Sequence, residues 1–190
     1  MINIAVFASG SGTNFKSIVN YFSGHEYIRV RLLLCNRPGA MVLGRAANEG
    51  IDSLVFTRDD LENSEKVLNF LLDYDIHFIV LAGFLLKIPD KIIKTFPDRI
   101  VNIHPALLPK YGGKGMYGIR VHEAVISSGD RFSGITIHMV NEEYDKGNII
   151  SQHTCEVKPH DTPQTLASRI HKLEHYWYPR VIEKLLDISS

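Results

Sequence analysis

Short apolar runs alternate with amphipathic stretches along the first half of the chain. Residues 2–8, 28–35, 53–56, 78–81 and 100–104 are rich in Ile, Val, Leu and Phe, with few polar interruptions. Near-continuous apolar runs of that length fit strands buried on both faces. Between them, residues 14–22, 41–49, 63–74 and 89–95 mix polar and apolar positions at helical period. Strands alternating with helices predict a doubly wound, Rossmann-like α/β fold, a mostly parallel sheet with helices on both faces.

The rhythm changes after Pro105. Residues 105–118 are rich in Gly and Pro and read as a loop, followed by a helix over 120–127 that stops at Gly129. Residues 134–140 and 149–157 read as two strands joined by the polar turn 141–147, an antiparallel addition toward the C-terminus. Residues 165–186 have the pattern of a closing helix, bent or broken at Pro179. The acidic run 58–62 reads as a solvated helix approach. With no repeat or low-complexity linker, the expectation is one catalytic domain over 1–190.

Composition narrows the class. Lys plus Arg and Asp plus Glu both number 21, so no bulk charge favours nucleic acid or an acidic membrane surface. Cys35 and Cys155 are far apart and form no CxxC pattern, which fits reduced thiols better than a disulfide scaffold. No basic leader precedes residues 2–7, and no run approaches the ~20 apolar residues of a membrane span. A soluble, cytoplasmic protein is expected.

In doubly wound sheets ligands bind beyond the carboxyl ends of the strands, which selects the loops after Ala8, Leu81 and His104. The first is Ser9-Gly10-Ser11-Gly12-Thr13-Asn14. Glycines there let amides and a helix N-terminus face an anion, and Ser11, Thr13 and Asn14 add side-chain donors. The dinucleotide fingerprint fails, because Phe15 takes the third glycine position and the second strand ends in Cys35-Asn36-Arg37 without an acid. The Walker pattern fails at the same Phe15. A monophosphate fits better than a dinucleotide, and the plain alternative is a strand-to-helix turn with a Ser or Thr N-cap.

Asn102 and His104 alternate at the end of a buried strand, so both side chains reach the same face. Acyl transfer needs such a pair: a neutral donor for the developing oxyanion and a group that moves protons near pH 7. Asp145, in the turn Glu142-Glu143-Tyr144-Asp145-Lys146-Gly147, could raise the imidazole pKa, although spacing alone does not bring it to His104. An Asn and a His at a strand end also occur as purely structural residues.

The string Asn102-Ile103-His104-Pro105-Ala106-Leu107-Leu108-Pro109 resembles the signature of the folate-dependent formyltransferases. Ser9 to Asn14, Leu81-Ala82-Gly83-Phe84, Tyr144-Asp145-Lys146-Gly147 and Glu174-His175 resemble other segments of that family in the same order, across nearly the whole chain. The resemblance implies transfer of a formyl group from 10-formyltetrahydrofolate, a co-substrate, to the amine of 5-phosphoribosyl glycinamide, with no metal. It assigns Asn102 to the oxyanion, His104 to acid catalysis and Asp145 to tuning His104. It further assigns Gly12, Thr13 and Asn14 to the substrate phosphate, Glu174 to ribose hydroxyls, and Leu85, Leu86, Ile88, Asn141 and Tyr144 to the folate. Two departures stand out: Tyr111-Gly112-Gly113 replaces a more usual Pro-Gly, and Leu86 stands where some members carry Arg. Both are expected to leave the chemistry untouched. Other branches of the family carry large extra domains for which this length leaves no room. A hydrolase using the same trio with water as acceptor, and a nucleotide-sensing domain without turnover, are the rival readings.

Other signals read as structural. His171 and His175 have zinc-compatible helical spacing but lack the acid of an HExxH motif. The remaining histidines, 25, 77, 122, 138, 153 and 160, read as surface or satisfied core residues, with His138 placed to support the Asp145 turn. Tyr176, Trp177 and Tyr178 suit core packing or a homodimer contact better than a nucleobase platform. Lys110 and Lys114 could meet a folate glutamate tail or simply solvate their loop.

Overall fold

The computed structural model describes residues 1–143 and 145–187. Two compact units divide the chain, Met1–Val101 and Asn102–Ser190. In the first, β1 (Ile2–Phe7), β2 (Ile28–Cys35), β3 (Asp52–Val55) and β4 (Phe78–Leu81) run parallel in the order β3-β2-β1-β4. Helices α1 (Thr13–Phe22), α2 (Met41–Asn48), α3 (Arg58–Glu62), α4 (Lys66–Asp73) and α5 (Asp90–Thr95) connect or follow these strands. The chain passes from β1 to β2 and β3 on one side, then returns to place β4 on the other. That reversal puts a switch point at the C-terminal end of β1, where doubly wound sheets bind ligands. Ile4, Ala5, Val6 and Phe7 are fully buried, as are Leu32 to Cys35, which accounts for the unbroken apolar runs.

Two expectations are corrected in this unit. The run 53–56 is not a strand buried on both faces: β3 is an edge strand with one strand neighbour, and Asp52, Ser53 and Val55 are exposed. The run 58–62 is not a mere approach to a helix, and no single helix spans 63–74. Thr57 and Asp60 form a capping box in which the Asp60 amide donates to Thr57 Oγ1 and the Thr57 amide to Asp60 Oδ2. This nucleates α3 and delays the next helix to Lys66.

β5 (Ile100–His104) crosses the boundary, and its last three residues open the second unit. There α6 (Ile119–Ser127) precedes the antiparallel pair β6 (Phe132–Met139) and β7 (Ile149–Glu156), with a register shift between Ile137 and His138. The last helix, α7 (Pro163–Asp187), continues through Pro179, contrary to a break there. Leu166, Ile170, Glu174, Tyr178, Ile182 and Leu186 recur every fourth residue as its buried stripe, and that burial outweighs the hydrogen bond Pro179 removes.

His122 on α6 is a buried imidazole whose Nδ1 has no hydrogen-bond partner among the described residues, so it is not the satisfied core residue expected. Burial first, then the fields of His171 and His104, push its pKa down to about 4. The folded state therefore holds His122 neutral, while the unfolded chain takes up a proton near the ordinary value. Stability from this source is complete above pH ~6.5 and is lost as pH falls toward 4, in total about 3 kcal/mol. Denaturant unfolding at pH 7 and pH 4.5 should show that loss in the wild type and a smaller one in His122→Asn. An identical loss in both would remove His122 as the cause.

Candidate active site

In the first unit, the loop between β1 and α1 is shaped by its neighbours. Gly12 is the N-cap of α1 with φ 74°, and no side-chain hydrogen bond caps the helix. The Ser or Thr cap of the plain alternative is therefore not made. A Cβ on Gly12 would meet Val42, coming within 2.9 Å of its Cα. Only glycine combines that left-handed backbone with so close an approach. The Val42 amide donates to the Gly10 carbonyl at 3.2 Å, and Arg45 Nε donates to the Ser11 carbonyl at 2.8 Å. Thr13 and Asn14, half-buried, form the first turn of α1.

Buried Ser9 ties this loop to the one after β4. Its hydroxyl donates to Asn36 Oδ1 at 2.6 Å and accepts from the Leu85 amide at 3.1 Å, while its own amide donates to the Gly83 carbonyl at 3.2 Å. Leu85 and Leu86 are half-buried, but the Ile88 side chain is 2% exposed and packs in the core.

In the second unit Asn102, His104 and Asp145 come together, with His138 between them. Asp145 lies in the turn after β6 with φ 52°, a left-handed conformation that Asp tolerates. Its Oδ2 accepts from the Gly113 amide at 2.8 Å and lies 3.7 Å from His104 Nδ1. Its Oδ1 lies 3.6 Å from His138 Nε2. His138 Nδ1 donates to the Met139 carbonyl at 2.8 Å, and in that tautomer Nε2 accepts from Asn102 Nδ2 at 3.0 Å. One Asn102 amide hydrogen is thereby fixed and the orientation of the other is set.

His104 Nε2 donates to the Tyr111 carbonyl at 2.7 Å. In the neutral ring, Nδ1 then carries a lone pair facing a carboxylate. Burial pushes the His104 imidazole below its ordinary pKa; Asp145 and the Tyr111 carbonyl push it back up without prevailing, and His138 adds to the lowering. Asp145 thus acts in the expected direction but is outweighed by desolvation. Burial also raises the Asp145 carboxyl, yet His138, the Gly113 amide and, once it is protonated, His104 together hold it below its usual range. The result is a neutral imidazole beside an ionised carboxylate, an arrangement that strengthens when a proton reaches Nδ1.

Tyr111 and Gly113 were not anticipated as participants. The Tyr111-Gly112-Gly113 departure, expected to leave the chemistry untouched, supplies the carbonyl on His104 and the amide on Asp145. These are backbone groups, and no residue type announces them. His138 is more central than a support for the turn, and its position on β6, three residues before the turn 141–147, was its only sequence signal.

Gly147 fixes the Asp145 turn. A Cβ there would clash with the Met139 carbonyl oxygen, far inside van der Waals contact. Gly147→Ala should displace the turn, cost on the order of 2 kcal/mol and lower activity along with the Asp145 contacts. Unchanged melting temperature and turnover would show that the turn tolerates a side chain.

The remaining assigned residues are dispersed. Glu174 is 5% exposed on α7, and exposed Asn141 accepts from the Glu143 amide at 3.0 Å. Tyr144 lies outside the described residues. Lys110 pairs with Asp130 at 3.0 Å. Of the aromatic cluster, Tyr178 is core, Trp177 stacks on His153 with centroids 3.8 Å apart, and exposed Tyr176 lies under Arg180. Among the described residues no group of three or more His, Cys, Asp or Glu side chains is placed to hold a metal, and no helix is long and apolar enough to cross a membrane.

Parallel strands wound with helices, a glycine turn after β1 and an amide–imidazole–carboxylate cluster at the end of β5 define a doubly wound α/β protein with titratable groups gathered at a strand end. Residues 2–182 match the formyl transferase family, and the chain belongs to it. It is 45% identical over 185 residues to the chloroplastic phosphoribosylglycinamide formyltransferase of Arabidopsis thaliana, covering 94% of this chain and 63% of the plant protein. It thus spans less than two thirds of that relative's length. The phosphoribosylglycinamide formyltransferase of Bacillus subtilis (strain 168) is 37% identical, with 100% of this chain and 97% of that protein covered. The crystal structure of glycinamide ribonucleotide transformylase 1 from Geobacillus kaustophilus is similar with a TM-score of 0.89 at 38% identity, covering 98% of this chain and 99% of that one.

Proposed function

We propose that the protein transfers the formyl group of 10-formyltetrahydrofolate to the amine of 5-phosphoribosyl glycinamide, a step of purine biosynthesis, with residues 1–190 acting as one catalytic domain. The observation that carries this reading is the Asn102–His138–Asp145–His104 cluster, in a chain whose relatives are named for that reaction. Gly12, Thr13 and Asn14 hold the substrate phosphate at the uncapped start of α1. Glu174 meets ribose hydroxyls, and Leu85, Leu86, Ile88, Asn141 and Tyr144 belong to the folate site. The two free cysteines suit a reducing cytoplasm.

The amine lone pair attacks the formyl carbon, a C–N bond forms and the carbonyl electron pair moves to oxygen. The second Asn102 amide hydrogen and His104 Nε2–H stabilise that oxyanion, the latter in place of its bond to the Tyr111 carbonyl. The attacking nitrogen loses a proton, which His104 Nδ1 takes against Asp145. Collapse restores the C=O bond, the old C–N bond breaks, and its electron pair stays on the folate nitrogen, which receives the proton from His104. No metal and no covalent enzyme intermediate enter.

Product identity tests the reading. After incubation with both substrates, mass spectrometry should find the formyl group on the glycinamide amine. Formate appearing while the amine stays unmodified would overturn the transfer in favour of hydrolysis.

A further inference from the structure

Among the described residues, Arg45 bonds directly to the β1–α1 turn through its guanidinium, a contact that the phosphate reading of Gly12, Thr13 and Asn14 leaves without a role. It stands in the last turn of α2, and α2 grips the turn twice more: the Val42 amide holds the Gly10 carbonyl, and Val42 packs against Gly12. Arg45 Nε holds the Ser11 carbonyl at 2.8 Å. Covalent geometry keeps both Nη groups close to that bond, because the guanidinium is a planar fork. Arg45 has no carboxylate partner among the described residues, and it is half-buried. Lys16, the cation within α1 nearest its start, is by contrast paired with Glu49. The turn therefore has one committed cation and one whose charge is unneutralised.

We propose that Arg45 is a positioning and charge-supplying residue of the phosphate turn, holding Ser11 through Nε and offering its remaining charge to the phosphate of the acceptor. This rests on the reading of Gly12, Thr13 and Asn14 as phosphate ligands. Backbone amides and a helix N-terminus give an anion direction, and a guanidinium adds charge-assisted bonds they do not supply. A cation in the last turn of α2 also favours that helix's own dipole. That contribution is indifferent to substrate phosphate, which allows the two roles to be separated.

Binding of ribose 5-phosphate, measured by calorimetry on wild type, Arg45→Met and Arg45→Lys, is the test. Arg45→Met should weaken binding about ten-fold, Arg45→Lys should recover part of the loss, and the gap should narrow at high salt. In kinetics the ratio of KM for glycinamide ribonucleotide to KM for the phosphate-free riboside should rise in Arg45→Met by a similar factor, with the loss in KM and little in kcat. Equal ribose 5-phosphate affinity in wild type and Arg45→Met would overturn the proposal, as would a KM rise shared by the riboside. A wild type that binds ribose 5-phosphate but transfers no formyl group would instead sink the proposed reaction and leave Arg45's role intact.

Discussion

His104→Ala should lower kcat about a thousand-fold, the scale on which positioned acid–base groups and oxyanion donors act. The substitution removes the Nε2–H proposed for the oxyanion and the Nδ1 that meets Asp145 at 3.7 Å. It leaves Gly12, Arg45 and the rest of the turn proposed to hold phosphate unaltered, so ribose 5-phosphate affinity should stay at the wild-type value. Because His104 is buried, a stability change is also expected, and a melting curve must accompany the kinetics. A folded variant with near wild-type turnover would remove His104 from the chemistry.

Asp145→Asn carries the second large expected effect. The carboxylate accepts the Gly113 amide at 2.8 Å and faces both imidazoles, so the amide replacement keeps the shape but loses the charge. Asp145 raises the His104 pKa against burial, and its removal should lower that pKa further. The acidic limb of the rate profile, where His104 becomes protonated before substrate attack, should therefore move to lower pH. Above that limb kcat should fall about a hundred-fold, since the proton taken at Nδ1 no longer meets a negative charge. An unshifted acidic limb would mean that a group other than His104 sets it.

How far the residues announced this arrangement varies with what each signal encodes. The runs 2–8, 28–35 and 78–81 name the central strands because burial on both faces demands apolar residues at every position. The same criterion misjudged β3, whose Leu54 and Val55 look like core although the strand lies at a sheet edge, while Phe56 just beyond it is core. Thr57 and Asp60 were a legible cap, but in a run read for its charge. Asn102 and His104 were visible through strand alternation. Asp145 was found through its family motif, because a turn 41 residues beyond His104 has no fixed place until β6 folds beside it. The Tyr111 carbonyl and the Gly113 amide were invisible, being groups every residue carries. Arg45 was hidden for another reason: its partner is the Ser11 carbonyl, and no motif joins a helix's last turn to a loop 34 residues earlier.

The most direct measurement is the rate of 10-formyltetrahydrofolate consumption by purified protein, followed spectrophotometrically with and without glycinamide ribonucleotide. Formyl transfer at the Asn102–His104–Asp145 centre requires consumption that starts only when the amine is added and stops when it is exhausted. Equal consumption in both cuvettes would mean that water is the acceptor, and the same three residues would have to be assigned to a hydrolase.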